Sequence, residues 1–151
     1  MATMSLNQAR AVFCLKMVKA VKNGLEIRTS ENKNPKKAKV DKFISYAKKL
    51  PSLIITNGLL PTLAFLFSKE DSIPVGYALA LWLCRKDYLS ANIPDIPDST
   101  SRSVDVDDSL RHEILKALAN MSATELRAAT LEALALADWL KRTVEAVLDE
   151  K

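Results

Sequence analysis

A chain of 151 residues is long enough for one domain with a hydrophobic core, and a hydrophobic fraction of 48% is ordinary for a globular protein. No apolar stretch reaches the roughly 18–20 residues that a helix needs to cross a bilayer, which excludes a membrane-spanning protein. The net charge is only +4, but residues 1–49 hold twelve Lys and Arg against three acids, so this segment carries +9 and the remainder −5.

The N-terminal third is predicted to form two helices joined by a polar loop. Leucine, alanine and lysine dominate the composition, and strand-like alternation is nearly absent, which favours helix over sheet. Apolar residues recur at a period of 3.6 over residues 5–27 and again over 36–50, and Ser5 is a suitable N-cap. Residues 29–35 are polar and contain Pro35, so we expect a flexible loop between the two helices.

Pro51 interrupts the apolar stretch that follows. It has no backbone N–H to donate, so we expect a kink at Leu50-Pro51 and then a short helix over residues 52–56. Asn57-Gly58 marks a turn, because both residues tolerate positive φ.

The next two helices are predicted from strongly apolar segments. Residues 60–68 are apolar nearly all round, so this helix is expected to be the buried centre of the fold, with Leu63 and Phe65 inside it. A longer helix is predicted over residues 73–91, with Pro74 near its start.

The C-terminal third is predicted to contain an irregular loop and two further helices. Residues 92–107 hold two prolines and a polar run, which favours an irregular, flexible connection. A helix over residues 108–121 follows, and Ser122 and Glu125 then form the capping box of a last helix over 123–149. The sequence therefore predicts an all-α fold, in which the whole chain is a single-domain bundle of about six helices.

Two features bear on the compartment in which the protein works. Cys14 and Cys84 lie far apart, each within a helical pattern, so we expect reduced core residues in preference to a disulfide. Residues 1–8 lack a charged segment followed by an apolar core, so we expect no secretory signal. Both features predict a cytoplasmic protein.

Patterns typical of catalytic or metal sites are missing from the sequence. The single histidine, His112, has no partner at catalytic or metal-ligand spacing and is interpreted as part of a solvated helix face. Three scattered glycines cannot build a phosphate-cradling loop. The acids from Asp105 to Asp108 lack the glycine and the distal glutamate of a calcium loop, and a helix N-terminus explains them. We therefore expect no enzyme activity, no catalytic or metal site and no cofactor.

Lysines of the first two predicted helices are candidate nucleic-acid-binding residues. Their excess indicates one face that meets a polyanion, and lysine, a point charge, suits contact with a phosphate backbone of any sequence. The candidates in this segment are Lys16, Lys19, Lys22, Lys36, Lys37, Lys39, Lys48 and Lys49. The nearby aromatic residues Phe43 and Tyr46 are interpreted as core or core-edge residues in preference to base-stacking groups.

Two stretches of the sequence resemble a known family. In the first, Leu50-Pro51 is followed by Asn57-Gly58-Leu59, then by Leu63-Ala64-Phe65 and Ser68-Lys69. The second runs from Arg127-x-x-Thr130-x-Glu132-Ala133 to Trp139-Leu140-Lys141-Arg142. With the helix order, these motifs span most of residues 6–147 and are similar to the small helical subunit of the Cmr complex, the RNA-targeting effector of type III-B CRISPR systems. Leu60-Pro61 departs from that family's pattern, in which smaller or polar residues often follow Asn-Gly-Leu.

The resemblance implies a noncatalytic subunit in an RNA-silencing, antiviral system. Members of that family stack into a short inner filament beside a larger backbone filament, and guide RNA with its paired target lies in the channel between them. The implied partners are other Cmr subunits, further copies of this chain, guide RNA and target RNA, with no membrane. Lys141 and Arg142 end the second motif and join the candidate nucleic-acid-binding residues, unless Arg142 pairs instead with Asp138.

The alternative is a stand-alone helical adaptor whose basic face binds an acidic protein partner. An RNA footprint that requires partner subunits would favour the Cmr interpretation. Tight binding to one acidic protein without RNA would favour the adaptor.

Overall fold

The computed structural model describes residues 4–30, 32–97 and 103–148. In these residues, six α-helices, one short 3-10 helix (Glu70–Ser72) and one small sheet form the regular secondary structure. The helices are α1 (Leu6–Lys22), α2 (Val40–Asn57), α3 (Leu59–Phe67), α4 (Ile73–Arg85), α5 (Asp108–Ala119) and α6 (Ala123–Val147). The predicted mostly helical fold is confirmed. Residue 31 of the first predicted loop, residues 98–102 of the second and residue 149 of the last predicted helix lie outside the described residues.

A three-stranded sheet was not predicted from the sequence. Its strands are β1 (Glu26–Arg28), β2 (Lys36–Lys37) and β3 (Ser103–Asp105), in the order β2-β1-β3. Strand β1 pairs antiparallel with β2 and parallel with β3. These strands are too short to show alternation in the sequence, and they correct three predictions: α1 ends at Lys22, α2 begins at Val40, and the second loop contains β3.

Helix α2 runs through Pro51 without a separate second helix. The predicted short helix over residues 52–56 is the last part of α2. Pro51 is buried between the buried residues Leu50 and Ile54, so burial of this segment compensates for the one backbone hydrogen bond that proline cannot make. Gly58, with φ 84°, then ends α2 and begins α3.

The buried centre of the fold is α4 and not α3. Every residue from Ile73 to Leu83 is buried, which fits a helix that is apolar on all sides. In α3, Leu63 is fully buried as predicted, but Phe65 is 37% exposed, so its predicted burial is wrong. Helix α4 also ends earlier than predicted, because Asp87 adopts a left-handed backbone with φ 64° and the Tyr88 N–H bonds back to the Leu83 carbonyl.

Helix α6 is the longest helix of the described residues and packs against α1, α2 and α4. It lies antiparallel to α1, since Asn7 contacts Trp139 while Arg10 contacts Glu132, seven residues earlier in α6. Ser122 and Glu125 form the predicted capping box at its start. No helix of the described residues is both long and apolar enough to span a membrane.

Candidate nucleic-acid interface

One side of α1 carries three exposed lysines. Lys16, Lys19 and Lys22 lie opposite the buried stripe of Phe13, Cys14, Met17, Val18 and Val21, and we call the three the lysine arc. Helix α1 contains no acidic residue, and the lysine arc makes no ion pair with any described residue. Two exposed apolar side chains, Val12 at 44% and Leu15 at 52% exposure, lie on the same side of α1 as the lysine arc.

A buried charge cluster fixes the orientation of α1. Arg10 donates through Nε and Nη2 to the two carboxylate oxygens of Glu132, at 2.7 and 2.8 Å. The indole N–H of Trp82 donates to the same carboxylate at 2.9 Å. Burial by itself raises the pKa of Glu132, but the hydrogen bonds from Arg10 and Trp82 outweigh it and hold that pKa below its usual range. These bonds tie α1 to α4 and α6, so the lysine arc has a fixed direction.

The lysines around β2 divide between two surroundings. Lys36 and Lys39 lie 3.4 and 3.5 Å from the carboxylates of Glu70 and Asp71, so acids partly neutralise their charge. Lys37 instead extends over Gly24, where an added Cβ would lie 3.6 Å from its Cε. The Lys37 side chain therefore lies near the C-terminal end of α1, which carries Lys22 of the lysine arc.

The remaining candidates lie on α2 and α6. Lys49 is exposed beside the Tyr46 ring, while Lys48 is half-buried. Arg142 lines a shallow pocket with Asn7 and Trp139, near the start of α1. At about 1.5 Å per residue, Asn7 is about 14 Å along the helix from Lys16. Arg142 therefore lies near the start of α1, away from the lysine arc, and the described residues show no ion pair between Arg142 and Asp138. Lys141 is half-buried on α6.

A comparison with protein families decides the identity of the chain. The family described as CRISPR-associated protein (Cas_Cmr5) matches residues 6–147. The chain belongs to the Cmr5 family. It is therefore a subunit of the Cmr type of CRISPR complex, as the two sequence motifs predicted.

A solved structure of the Cmr5 family has the same fold. It is a crystal structure of a CRISPR-associated Cmr5 family protein from Thermus thermophilus, with a TM-score of 0.62 and 23% sequence identity. The match covers 97% of this chain and 100% of that one. The family is a structural subunit of the Cmr complex.

Two features of this Cmr5-family chain, one on the surface and one buried, were not predicted from the sequence. The first is Phe65, whose exposed ring lies beside Tyr46 with Lys69 over it. Its partial signal was the spacing of Tyr46 and Lys49, which are three residues apart on α2, so that the lysine can reach the ring along the helix. Lys69 lies after the end of α3 at Phe67, with extended backbone, so its position over the Phe65 ring has no helical signal in the sequence. The second is the bond between Arg10 and Glu132, which joins distant segments and has no local signal.

Metal binding finds no support in the geometry of the described residues. Across residues 4–30, 32–97 and 103–148, no three His, Cys, Asp or Glu side chains are grouped to hold a metal ion. His112 is exposed on α5, in agreement with a solvated helix face.

Proposed function

We propose that this chain is a noncatalytic RNA-binding subunit of the type III-B Cmr complex, which helps to hold guide RNA and target RNA through its basic face. In this proposal, copies of the chain stack into an inner filament beside the other Cmr subunits. The lysine arc is the observation that supports RNA contact most directly. Its three ammonium groups share one side of a helix without acids and form no ion pair with a described acid, although Lys16 interacts at longer range with the Asp95 carboxylate.

The proposed contact is electrostatic. Each phosphate that a lysine neutralises releases condensed counterions, so the logarithm of the affinity falls linearly with the logarithm of the salt concentration. The slope changes by roughly 0.7–0.9 for each phosphate contact. One subunit binds weakly, and stacking several copies on one RNA raises the affinity through multivalency.

The test is charge reversal in the lysine arc, with a matched reversal elsewhere. The Lys16→Glu/Lys19→Glu variant is compared with Lys116→Glu/Arg127→Glu, which changes the net charge equally at positions on α5 and α6. RNA affinity of the assembled complex is measured against salt concentration. We expect the first variant to bind all RNA sequences more weakly and to reduce the salt slope by about 1.5. The Lys116→Glu/Arg127→Glu variant should have the RNA affinity and the salt slope of the wild type.

Equal salt slopes for the wild type and both variants would contradict RNA contact by the lysine arc. Circular dichroism of each variant controls for folding. Exposed charge substitutions should change stability by no more than about 0.5 kcal/mol.

A second candidate function is an adaptor contact with an acidic protein. It is favoured by Val12 and Leu15, because a phosphate backbone would leave these exposed apolar side chains in water. The Val12→Ser/Leu15→Ser variant keeps all the charges. If it leaves the complex while RNA binding by the isolated chain is unchanged, the α1 face contacts protein.

A further inference from the structure

Two aromatic rings, each with a lysine over it, lie where α2 and α3 meet. The ring centres of Tyr46 and Phe65 are 6.2 Å apart, and the ring planes are tilted by 57°. Lys49 Nζ lies 5.7 Å from the centre of the Tyr46 ring, and Lys69 Nζ lies 5.2 Å from the centre of the Phe65 ring. We call these four residues the aromatic–lysine cluster.

The helical hairpin of α2 and α3 explains why these residues are adjacent. The chain reverses at Gly58, which brings the middle of α2 beside the second half of α3. Leu63 and Leu66 face the core, and Phe65 lies on the other side of α3, at 37% exposure. Phe65 is thus covered over more than half of its surface, and the remainder of this aromatic residue is accessible to a ligand.

The electrostatic surroundings of the cluster favour an anionic ligand. No Asp or Glu occurs between residues 42 and 69, a segment that contains Lys42, Lys48, Lys49 and Lys69. The acids that follow it, Glu70 and Asp71, lie 3.4 and 3.5 Å from Lys36 and Lys39, which partly neutralise them. Lys42 is exposed one turn before Tyr46 on α2. The surface thus joins aromatic rings with positive charge, which is the combination that proteins use to bind single-stranded nucleic acids.

We propose that the aromatic–lysine cluster binds an unpaired nucleotide of RNA, with its base stacked on the Phe65 or Tyr46 ring and its phosphate held by Lys69 or Lys49. The proposal rests on the RNA-binding function above and adds base contacts to it. An exposed lysine–ring contact is weak, and the lysine stem is flexible. The ammonium group can therefore move from the ring to a phosphate when a base takes its place.

The tilt between the rings indicates an unpaired base as the ligand. In a duplex, the faces of each internal base are covered by neighbouring pairs, so only an unpaired or terminal base offers a free face. Two rings at 57° to one another present faces in different directions, so a single flat base cannot stack on both. Each ring is therefore suited to stack on one splayed-out base and not to contact the side of an RNA duplex.

The test compares two oligomers of equal length and phosphate charge, a single-stranded RNA and a strand with abasic sites throughout. Phosphate contacts are the same for both, so a difference in affinity for the full chain reports base contacts. Fluorescence anisotropy at low salt should show tighter binding of the base-containing strand, by about 5- to 100-fold. The Phe65→Leu/Tyr46→Leu variant should lose most of this preference. The Tyr46→Phe variant, which keeps both rings, should retain it.

The outcomes separate this proposal from the proposed function. If the wild type binds both strands equally and with steep salt dependence, base stacking is overturned and the electrostatic function stands. If it binds neither strand at low salt, base stacking by the cluster is overturned, while the proposed function is decided by the salt slopes of the assembled complex. If the double leucine variant keeps the full preference for the base-containing strand, the cluster is not a base-stacking site. If that variant also no longer joins the Cmr complex, the cluster contacts protein instead.

Discussion

Glu132 is the only charged side chain that is buried in the described part of the chain, with 5% of its side chain exposed. A buried carboxylate is costly unless its oxygens are hydrogen-bonded, and Arg10 and Trp82 together supply three donors. The folded-state pKa of Glu132 is lowered, so the unfolded chain binds this proton more readily than the folded one. The stabilisation is therefore present above the ordinary pKa of glutamate and is lost as the pH falls through the lower folded-state value.

The Glu132→Gln variant should be less stable than the wild type by about 1–3 kcal/mol at pH 7, because the neutral amide cannot accept both bonds from Arg10. Its free energy of unfolding in urea is compared with that of Glu145→Gln, an exposed position on the same helix. The control should differ from the wild type by less than about 0.5 kcal/mol. The difference in free energy of unfolding between Glu132→Gln and the wild type should become smaller in acid. If this difference does not depend on pH, the carboxylate charge does not have the proposed role.

Leu63 and Phe65 are close neighbours in α3 with opposite surroundings. Leu63→Ala should cost about 2–5 kcal/mol, because it leaves a cavity in the core. Phe65→Ala should cost less, about 1–2 kcal/mol, because its ring is partly in water and Tyr46 can shift towards the space. The measurement is chemical unfolding of both variants. A larger loss for Phe65→Ala would show that the ring is part of the core.

At the scale of elements, Gly76 sets the approach of α4 to α3. A Cβ at this position would lie 2.7 Å from Cε1 and 3.0 Å from Cδ1 of the Phe67 ring, and 3.2 Å from the Cβ of Leu66. The two helices therefore pack with no room for a methyl group between them.

The Gly76→Ala variant should be destabilised by about 1–3 kcal/mol, although alanine is the better helix former by about 1 kcal/mol. Adding Phe67→Leu, which removes the clashing ring atoms, should recover part of that loss. Thermal or urea unfolding of the two single variants and the double variant tests this. Strict additivity of the two substitutions would exclude the Phe67 contact as the cause.

For the folded protein as a unit, a ligand that binds only the folded state raises the melting temperature. A single-stranded RNA at ten to a hundred times its Kd should add about 1.4–2.7 kcal/mol of stability at low salt. Because the proposed contacts are largely with phosphates, the shift should disappear in high salt. Thermal unfolding with RNA at several salt concentrations measures it. A shift that persists unchanged in high salt would exclude an electrostatic contact.

The parts of the fold that were predictable from the sequence are those with a local signal. The amphipathic period of α1 and the capping box of Ser122 and Glu125 are such signals, and both helices form where they were expected to begin. The sheet was missed because its pairing depends on segments far apart in the chain. Phe65 was misplaced because an apolar segment does not show which side of the helix the rest of the protein covers. For the candidate interface, the excess of positive charge in the sequence was enough to identify the lysines. Their positions relative to one another could not be predicted, because they depend on how the helices pack.

The parallel pairing of β1 with β3 has a consequence for the order of folding. It joins residues that are 77 positions apart in the sequence, such as Arg28 and Asp105. The helices, in contrast, form from contacts between residues only a few positions apart. Closing so long a loop costs chain entropy before the strands gain any contact, so we expect this pairing to form after the rate-limiting step. Weakening it with Arg28→Ala should then speed unfolding and leave the refolding rate nearly unchanged. The sheet would thus form late in folding and slow unfolding, so that it determines the lifetime of the folded chain.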